Sequence, residues 1–381
     1  MIKLCDYDKC TGCASCYSAC AHNSIKMRLS SEGFLYPQID INTCTECGLC
    51  QTKCPELNPV KFHAEPQVYA CWSLDDKVRE SSSSGGMFSH LSRWVLNTGG
   101  VVFGVVLNDD LDAVHTQAST LQELEPMKGS KYIQSKIGDT FKQAKQALSS
   151  DKWVLFSGTP CQIAGLLKFI PGHLGEKLIT VDMVCHGVPS SDIFKDYLDK
   201  LSLLYPDINK PSYRFRSTKY WGYDPSFESG GERIKIKNKD NIFMKLFLSN
   251  YLFRESCYSC QYTKTQRISD VTIADFWGLG RSVKFEHNTK NGVSLSLVNS
   301  PKGQEIFEDI KPQIFSQRRE LDEAKAQNHQ LYCNSKRPKS GRETIYPYFK
   351  HHNFTQVYLK YLKMREIDKA IWRVMKFLKL K

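Results

Sequence analysis

Long apolar runs are missing from this chain of 381 residues. A membrane-spanning helix needs about 18 or more consecutive apolar residues, and no such stretch occurs. The most hydrophobic segment, 101–107, has only the length of a buried strand. An apolar leader is absent too: Met1 runs straight into Asp6 and Cys10, so export is not expected and a cytoplasmic location is. Low-complexity sequence is confined to Ser81-Ser82-Ser83-Ser84. With 41% hydrophobic and 24% charged residues, the composition is that of a folded globular protein. The length leaves room for a small module beside a larger body.

Cysteine is what the chain has in excess. It carries 15, and nine fall within the first 54 residues. In a long chain without an export signal, metal ligation is the better reading than disulfides. Two runs carry the same spacing: Cys10, Cys13, Cys16 and Cys20, then Cys44, Cys47, Cys50 and Cys54 followed by Pro55. A C-x2-C-x2-C-x3-C run wraps one four-iron cubane with its first three thiolates, and its fourth reaches the other cluster. The expected ligand sets are therefore Cys10, Cys13, Cys16 and Cys54 for one cluster, and Cys44, Cys47, Cys50 and Cys20 for the second. Zinc ribbons are not spaced this way. Between the runs, 33–37 reads as a short strand of a bacterial-type ferredoxin. Proline, usual after the fourth cysteine of such a run, is replaced by Ala21 in the first one.

Residues 57–66 read as a linker, with Pro59 and Pro66 bracketing a polar, non-periodic stretch. Beyond it, strand-like runs (68–72, 101–107, 153–156, 179–184) alternate with amphipathic helical segments (87–96, 140–148, 162–169, 192–204), the pattern of an α/β domain. After about residue 205 the pattern turns mixed, with short strands near 212–216 and 233–237.

Two loops in this body carry chemistry. Ser84-Gly85-Gly86 leads into a helix, where glycines and a helix N-terminus suit a phosphate or flavin pyrophosphate; a plain serine cap fits the same residues. Ser157-Gly158-Thr159-Pro160-Cys161-Gln162 has the same strand–turn–helix form and sets Cys161 at a helix start, where a thiolate is favoured. Cys161, Cys185, Cys257 and Cys260 are the number of thiols a third cubane needs, and buried structural cysteines remain the alternative.

Taken together, several segments resemble one family. They are Ser83–Ser89 (Ser-Ser-Gly-Gly-Met-Phe-Ser), Gly129-Ser130-Lys131-Tyr132, Ser157–Gly165, Val184-Cys185-His186-Gly187-Val188-Pro189-Ser190, Cys257-Tyr258-Ser259-Cys260 and Asp275-Phe276-Trp277-Gly278. Over roughly residues 1–335 the chain resembles the coenzyme F420 hydrogenase/dehydrogenase beta-subunit family in its bacterial form with a fused ferredoxin. Ala274 stands where that family usually has glycine. The resemblance implies a mixed α/β (α+β) flavoprotein body, 67–335, behind a two-cluster ferredoxin domain, 1–56. It also implies FAD and a third 4Fe-4S cluster on Cys161, Cys185, Cys257 and Cys260. Flavin contacts are then expected from Ser84, Gly85, Gly86, Ser130, Lys131, Tyr132, Gly158, Thr159, Pro160 and Gln162. Lys131 and His186 become the candidates for catalysis, His186 because its ordinary pKa lies near neutrality. Family members reduce or oxidise conjugated substrates, F420 among them, and bacterial ones are similar to proteins linked to polysaccharide biosynthesis.

The net charge of +12 would by itself suggest an acidic partner. Twelve thiolates on three oxidised clusters bring it to about +6, an ordinary value, and no basic recognition motif is present, so nucleic acid is not an expected partner. The tail, 336–381, ends in a basic amphipathic pattern, with Met364, Ile367, Ile371, Val374, Met375 and Leu378 on one face. Such a helix suits an anionic membrane surface at the inner face, the body itself, or a second copy in a homo-oligomer. The reading is an oxidoreductase that moves electrons between ferredoxin-type clusters and an FAD serving a small conjugated substrate. The competing one is a non-catalytic adapter passing electrons between a redox partner or ferredoxin donor and another enzyme.

Overall fold

The structure is a computed structural model and describes residues 2–216, 221–222 and 224–363. The helix expected from Met364 onward lies outside the described residues.

The N-terminal segment is built on a two-stranded antiparallel sheet, β1 (Ile25–Leu29) and β2 (Leu35–Ile39), in register Ile25 to Ile39 and Leu29 to Leu35. The turn between them closes where the Ser30 N–H donates to the Phe34 carbonyl and Ser30 Oγ accepts the Phe34 N–H, and Gly33 takes a φ of 80° that disfavours other residues. The strand expected at 33–37 is thus β2, displaced by this turn. Two short helices, Ser15–Ala19 and Leu49–Thr52, each start just inside a cysteine run.

Behind it stands an eight-stranded mixed sheet. Its strands are β3 (Gln67–Ser73), β4 (Val101–Leu107), β5 (Ala113–Ala118), β6 (Val154–Ser157), β7 (Leu178–Met183), β11 (Val271–Asp275), β12 (Ser294–Val298) and β13 (Ile314–Arg319), in the order β13-β3-β12-β11-β7-β6-β4-β5. The centre, β11-β7-β6-β4, is parallel, and its strands are near-continuous Val, Ile, Leu and Phe because both faces are covered. Alternation decides which face each residue serves. Val101, Phe103, Val154 and Phe156 meet the helices Thr140–Ser149 and Pro160–Phe169, whereas Val102, Leu155 and Ile179 meet Met87–Asn97 and Pro301–Ile310.

The mixed region after 205 gives a separate antiparallel sheet of β8 (Ile208–Arg214), β9 (Ser226–Ser229) and β10 (Glu232–Lys235), with an irregular register between Asn209 and Arg214. It joins a large aromatic core with the helices Ser191–Ser202 and Ile242–Leu248. Two distant parts of the chain complete that core. Ile345, Tyr346, Phe349 and Val357, from the segment read as tail, are buried in it. So is Phe34 of the N-terminal module, only 1% exposed. Beside it Glu32 receives a bidentate salt bridge from the buried Arg342 at 2.7 and 2.8 Å. The connecting residues 57–66 have no helix or strand, yet Val60 and Phe62 pack against the helix-side core and the His63 N–H donates to the Arg267 carbonyl.

The module is therefore docked through apolar contact. Phe34→Ala leaves a void in a core shared by both parts and is expected to cost about 3–5 kcal/mol. Denaturant titration checks the loss, and faster proteolysis within 1–66 checks its location.

Candidate functional site

The two N-terminal runs fold into two cavities. One is lined by Cys10, Cys13, Cys16 and Cys54, with Cys5, Gly12, Met27 and Pro37. The other is lined by Cys20, Cys44, Cys47 and Cys50, with His22, Ile25, Ile39 and Leu49. Each fourth cysteine thus stands with the other run's first three. The geometry that achieves this is local. Each run begins in a turn with a left-handed residue or glycine (Gly12 and Ala14 in the first, Glu46 and Gly48 in the second) and closes in a short helix. Such turns aim backbone N–H groups inward. Gly12, Ser15 and Tyr17 donate towards Cys10, Cys13 and Cys16, and Glu56 and Leu57 towards Cys54. N–H groups of this kind are what cluster sulfurs accept. Burial pushes the Cys16 thiol up to about 12, with nearby cysteines adding to the rise, whereas a hydrogen bond from Cys5 brings Cys10 down to about 6. Cys10, Cys13, Cys50 and Cys54 are buried, and Cys47 is exposed, so the second cavity opens to the surface.

In the body, Cys161 starts the Pro160–Phe169 helix, Cys185 follows β7, and Cys257 lies in the turn Glu255–Ser259 just before Cys260. The four thiols act on one another electrostatically: Cys257, Cys161 and Cys260 all raise the pKa of Cys185, burial being the larger cause. Burial first, then neighbouring cysteines, lifts Cys257 and Cys260 to about 12. Here too backbone N–H groups point at sulfur, from Gly187 to Cys185, Val188 to Cys257 and Tyr262 to Cys260. Among the described residues no three His, Cys, Asp or Glu side chains converge as they would around a single ion. A zinc ion holds sulfurs about 2.3 Å from one centre, whereas a cubane holds them apart at its corners. Four half-buried thiols that raise one another's pKa, with inward N–H donors, fit a four-iron group.

This set adjoins the first N-terminal cavity. A Cβ on Gly165, one turn beyond Cys161, would lie 2.9 Å from the Cys13 Cβ and 3.0 Å from its Sγ, so only glycine lets the helix approach the Cys13 turn. Between the two sets lies Arg254. It is 1% exposed, its Nε donates to the Cys10 carbonyl at 2.7 Å, and its guanidinium stands 3.8 Å over the Tyr36 ring.

The candidate flavin residues divide. Ser83 Oγ accepts the Ser130 N–H at 2.9 Å, which joins the Ser83–Gly86 loop to Gly129–Tyr132. Ser84 Oγ is buried and has no hydrogen-bond partner, and Gly86, at φ 92°, opens the Met87–Asn97 helix without a side-chain cap. An anionic group fits those two features. The other donors are already engaged within the protein. The Gly85 N–H donates to Ser294 Oγ, and a Cβ there would strike the Cys71 carbonyl, so this glycine serves the approach of β3 to β12. Gly158 donates to the Val181 carbonyl. Thr159 and Gln162 form a capping box with Pro160 in the first turn, and Gln162 Nε2 reaches Ser135. That loop presents Cys161 and leaves no free donor from Gly158 or Gln162 for a phosphate. Lys131 Nζ donates to the carbonyls of Pro126, Met127 and Lys128 at 2.8–3.0 Å, while burial, with Arg214 near, brings its pKa down to about 7. Tyr132 is edge-on to Phe215 and Phe247.

His186 has both ring nitrogens occupied, by Asn250 Oδ1 at 3.0 Å and Gln330 Nε2 at 2.6 Å, and burial lowers its pKa. Read from those partners, Nε2 carries the hydrogen and Nδ1 accepts. The Asp275 carboxylate takes Arg216 Nη1 at 2.5 Å and the Trp221 indole at 2.6 Å, while Trp221 stacks on Trp277 at 4.7 Å. Sequence reading passed over Cys5, Arg254, Arg216 and the amides around His186. Only Cys5, close before Cys10, and Arg254, three residues before Cys257, carried a local signal.

Comparison with known families decides the class. The model for the C terminus of the coenzyme F420 hydrogenase/dehydrogenase beta subunit matches residues 151–324, and that for its N-terminal part matches 68–142. The chain belongs to the coenzyme F420 hydrogenase/dehydrogenase beta-subunit family. In this beta-subunit-like chain a 4Fe-4S dicluster domain also matches residues 9–57, so an iron-sulfur ferredoxin domain precedes the mixed α/β body. Among solved structures, a chain of the xenon-derivatised F420-reducing NiFe hydrogenase complex from Methanosarcina barkeri is similar at a TM-score of 0.47 and 16% identity, covering 72% of this chain and 91% of that one. Comparison with curated proteins finds no match. Among the described residues no helix is long and apolar enough to cross a membrane.

The two N-terminal cavities are separable. Cys47→Ser is expected to lower iron by about four atoms per chain while the module stays docked, because Phe34 and Cys13 belong to the other half. Iron analysis with limited proteolysis checks this, and loss of about eight would mean that the two cavities stand or fall together.

Proposed function

We propose that this protein is an iron-sulfur flavoprotein oxidoreductase that exchanges electrons between its ferredoxin clusters and an FAD acting on a conjugated substrate. Two clusters would be held by Cys10, Cys13, Cys16 and Cys54, and by Cys44, Cys47, Cys50 and Cys20, within residues 1–56. A third would be held by Cys161, Cys185, Cys257 and Cys260 in the body, 67–335. The FAD would draw its anionic contacts from Ser84, Gly86 and the adjoining Ser130. When bound, flavin supplies two-electron exchange with a substrate and conversion to single electrons, and each cubane carries one.

The observation that carries this reading is the seam at Cys13 and Gly165. It makes the body thiols neighbours of the first N-terminal set, while the second set includes the exposed Cys47. The chain's own residues do the rest of the work. Backbone N–H groups orient the sulfurs, and the buried helix Pro160–Phe169 excludes water from the seam. Asn250 and Gln330 fix His186 beside Cys185, which steadies that loop and leaves no free ring nitrogen for a proton at rest. Lys131, bound to three carbonyls, anchors the loop that carries Ser130 and Tyr132. The adapter reading is favoured by one feature, the exposed Cys47 end, where a partner protein could receive electrons.

Anaerobically purified protein is expected to hold about twelve irons and one FAD per chain. Iron near eight would return Cys161, Cys185, Cys257 and Cys260 to a structural role. Turnover of the isolated chain with dye and candidate oxidants separates enzyme from adapter. A variant carrying Cys257→Ser and Cys260→Ser is expected to keep both N-terminal clusters and a chemically reducible flavin, yet to bleach those clusters far more slowly. Stopped-flow absorbance follows the two signals separately, and bleaching at the unaltered rate would overturn the order of carriers.

A further inference from the structure

Arg254 is a buried cation that touches both metal-binding regions. Its backbone belongs to the body site: the Arg254 N–H donates to the Val188 carbonyl, just after Cys185, and the Arg254 carbonyl accepts the Cys257 N–H, both at 3.0 Å. Its side chain belongs to the N-terminal module. Nε donates to the Cys10 carbonyl, Nη1 donates to Gln134 Oε1 at 3.2 Å, and the plane rests on Tyr36. Gln134 in turn donates to the Thr11 carbonyl at 2.9 Å. No carboxylate pairs with this guanidinium in any ion pair described, and Nη2 is buried without a hydrogen-bond partner. Besides Tyr36, the groups that feel its charge are thiols: Cys10, Cys161 and Cys257 are each favoured as thiolates by it.

A guanidinium cannot deprotonate in a protein, and an uncompensated buried charge is costly. Its natural counterion at this place is a pair of clusters, whose negative charge grows by one unit on reduction. A fixed cation beside such a centre stabilises the reduced form, and more strongly where water is excluded.

We infer that Arg254 sets the reduction potentials of the first N-terminal cluster and the body cluster together, holding both above the potential each would have without it. The second N-terminal cluster, whose cysteines Arg254 does not contact, is left without that increment. Arg254 is a positioning and tuning residue; it touches no substrate. For its body half the inference rests on the third-cluster reading above.

The test is an EPR-monitored redox titration of the anaerobic holoprotein, with Cys47→Ser identifying the second cluster's signal. In Arg254→Gln, at the unaltered protein's midpoint, the reduced-to-oxidised ratio of the first and body clusters is expected to fall about tenfold, with the second cluster unchanged. Arg254→Lys, which keeps charge but loses the fork, is expected to fall by less. Unchanged midpoints in Arg254→Gln with full iron overturn the inference, as does an equal shift of all three clusters or an equal effect of Gln and Lys. If Arg254→Gln loses iron, the neutral Arg254→Met decides in its place, and unchanged midpoints there overturn the inference. Eight irons in the unaltered protein would remove the body-cluster reading alone, since the first cluster's shift would still test Arg254.

Discussion

A thiolate is tolerable inside a protein only beside compensating charge, and this chain gathers many thiols where water is scarce. Burial and neighbouring cysteines push Cys16, Cys257 and Cys260 up to about 12, so without metal these groups are held as neutral thiols. Iron-sulfur clusters resolve that conflict in the dicluster domain, the proposed body cluster would do the same for Cys257 and Cys260, and much of the surrounding architecture suits it. Backbone N–H groups from Gly12, Ser15, Gly187, Val188 and Tyr262 supply partial positive charge, and Arg254 supplies a whole one. The family's dicluster domain and the body meet where these demands are greatest.

That meeting explains why the N-terminal module is not a loosely tethered carrier. Phe34 completes a core otherwise made by residues from 113 to 362, Glu32 pairs with Arg342, and Gly165 admits the Cys13 turn. Electron exchange over a fixed seam needs no search by a mobile domain, so the module trades reach for constancy of distance. An open face of the module lies at the exposed Cys47. A partner approaching there would meet the second cluster first.

Much of this was legible in the sequence, and the rest was not for identifiable reasons. Cluster spacing is written within about eleven residues, so both ferredoxin sets could be read locally. The central strands β4, β6 and β7 announced themselves as continuous apolar runs because helices cover both faces. β12 did not, since Ser294 and Ser296 alternate with its leucines; their burial depends on partners from distant segments. The segment read as tail contributes Ile345, Tyr346 and Phe349 to the core, which its basic composition concealed. For Arg254 the sequence offered only its place three residues before Cys257, since arginine is ordinarily exposed and only tertiary contact tells a buried one apart.

The loops show the limit most clearly. A strand, a glycine turn and a helix start describe both an anion cradle and a capped helix, and only long-range partners separate the two. At Gly158–Gln162 the capping box, the Ser135 contact and the Val181 carbonyl consume the donors, so the motif displays a cysteine. At Ser84–Gly86 the Gly85 N–H is taken by Ser294, whereas Ser84 Oγ stays buried without a partner. A buried hydroxyl in that state costs stability unless a ligand completes it, which is the physical reason to look for the anion at this loop rather than at the other. The two similar loops thus differ in what they leave free, one presenting the Cys161 thiol at a helix start and the other a buried serine hydroxyl beside β3 and β12.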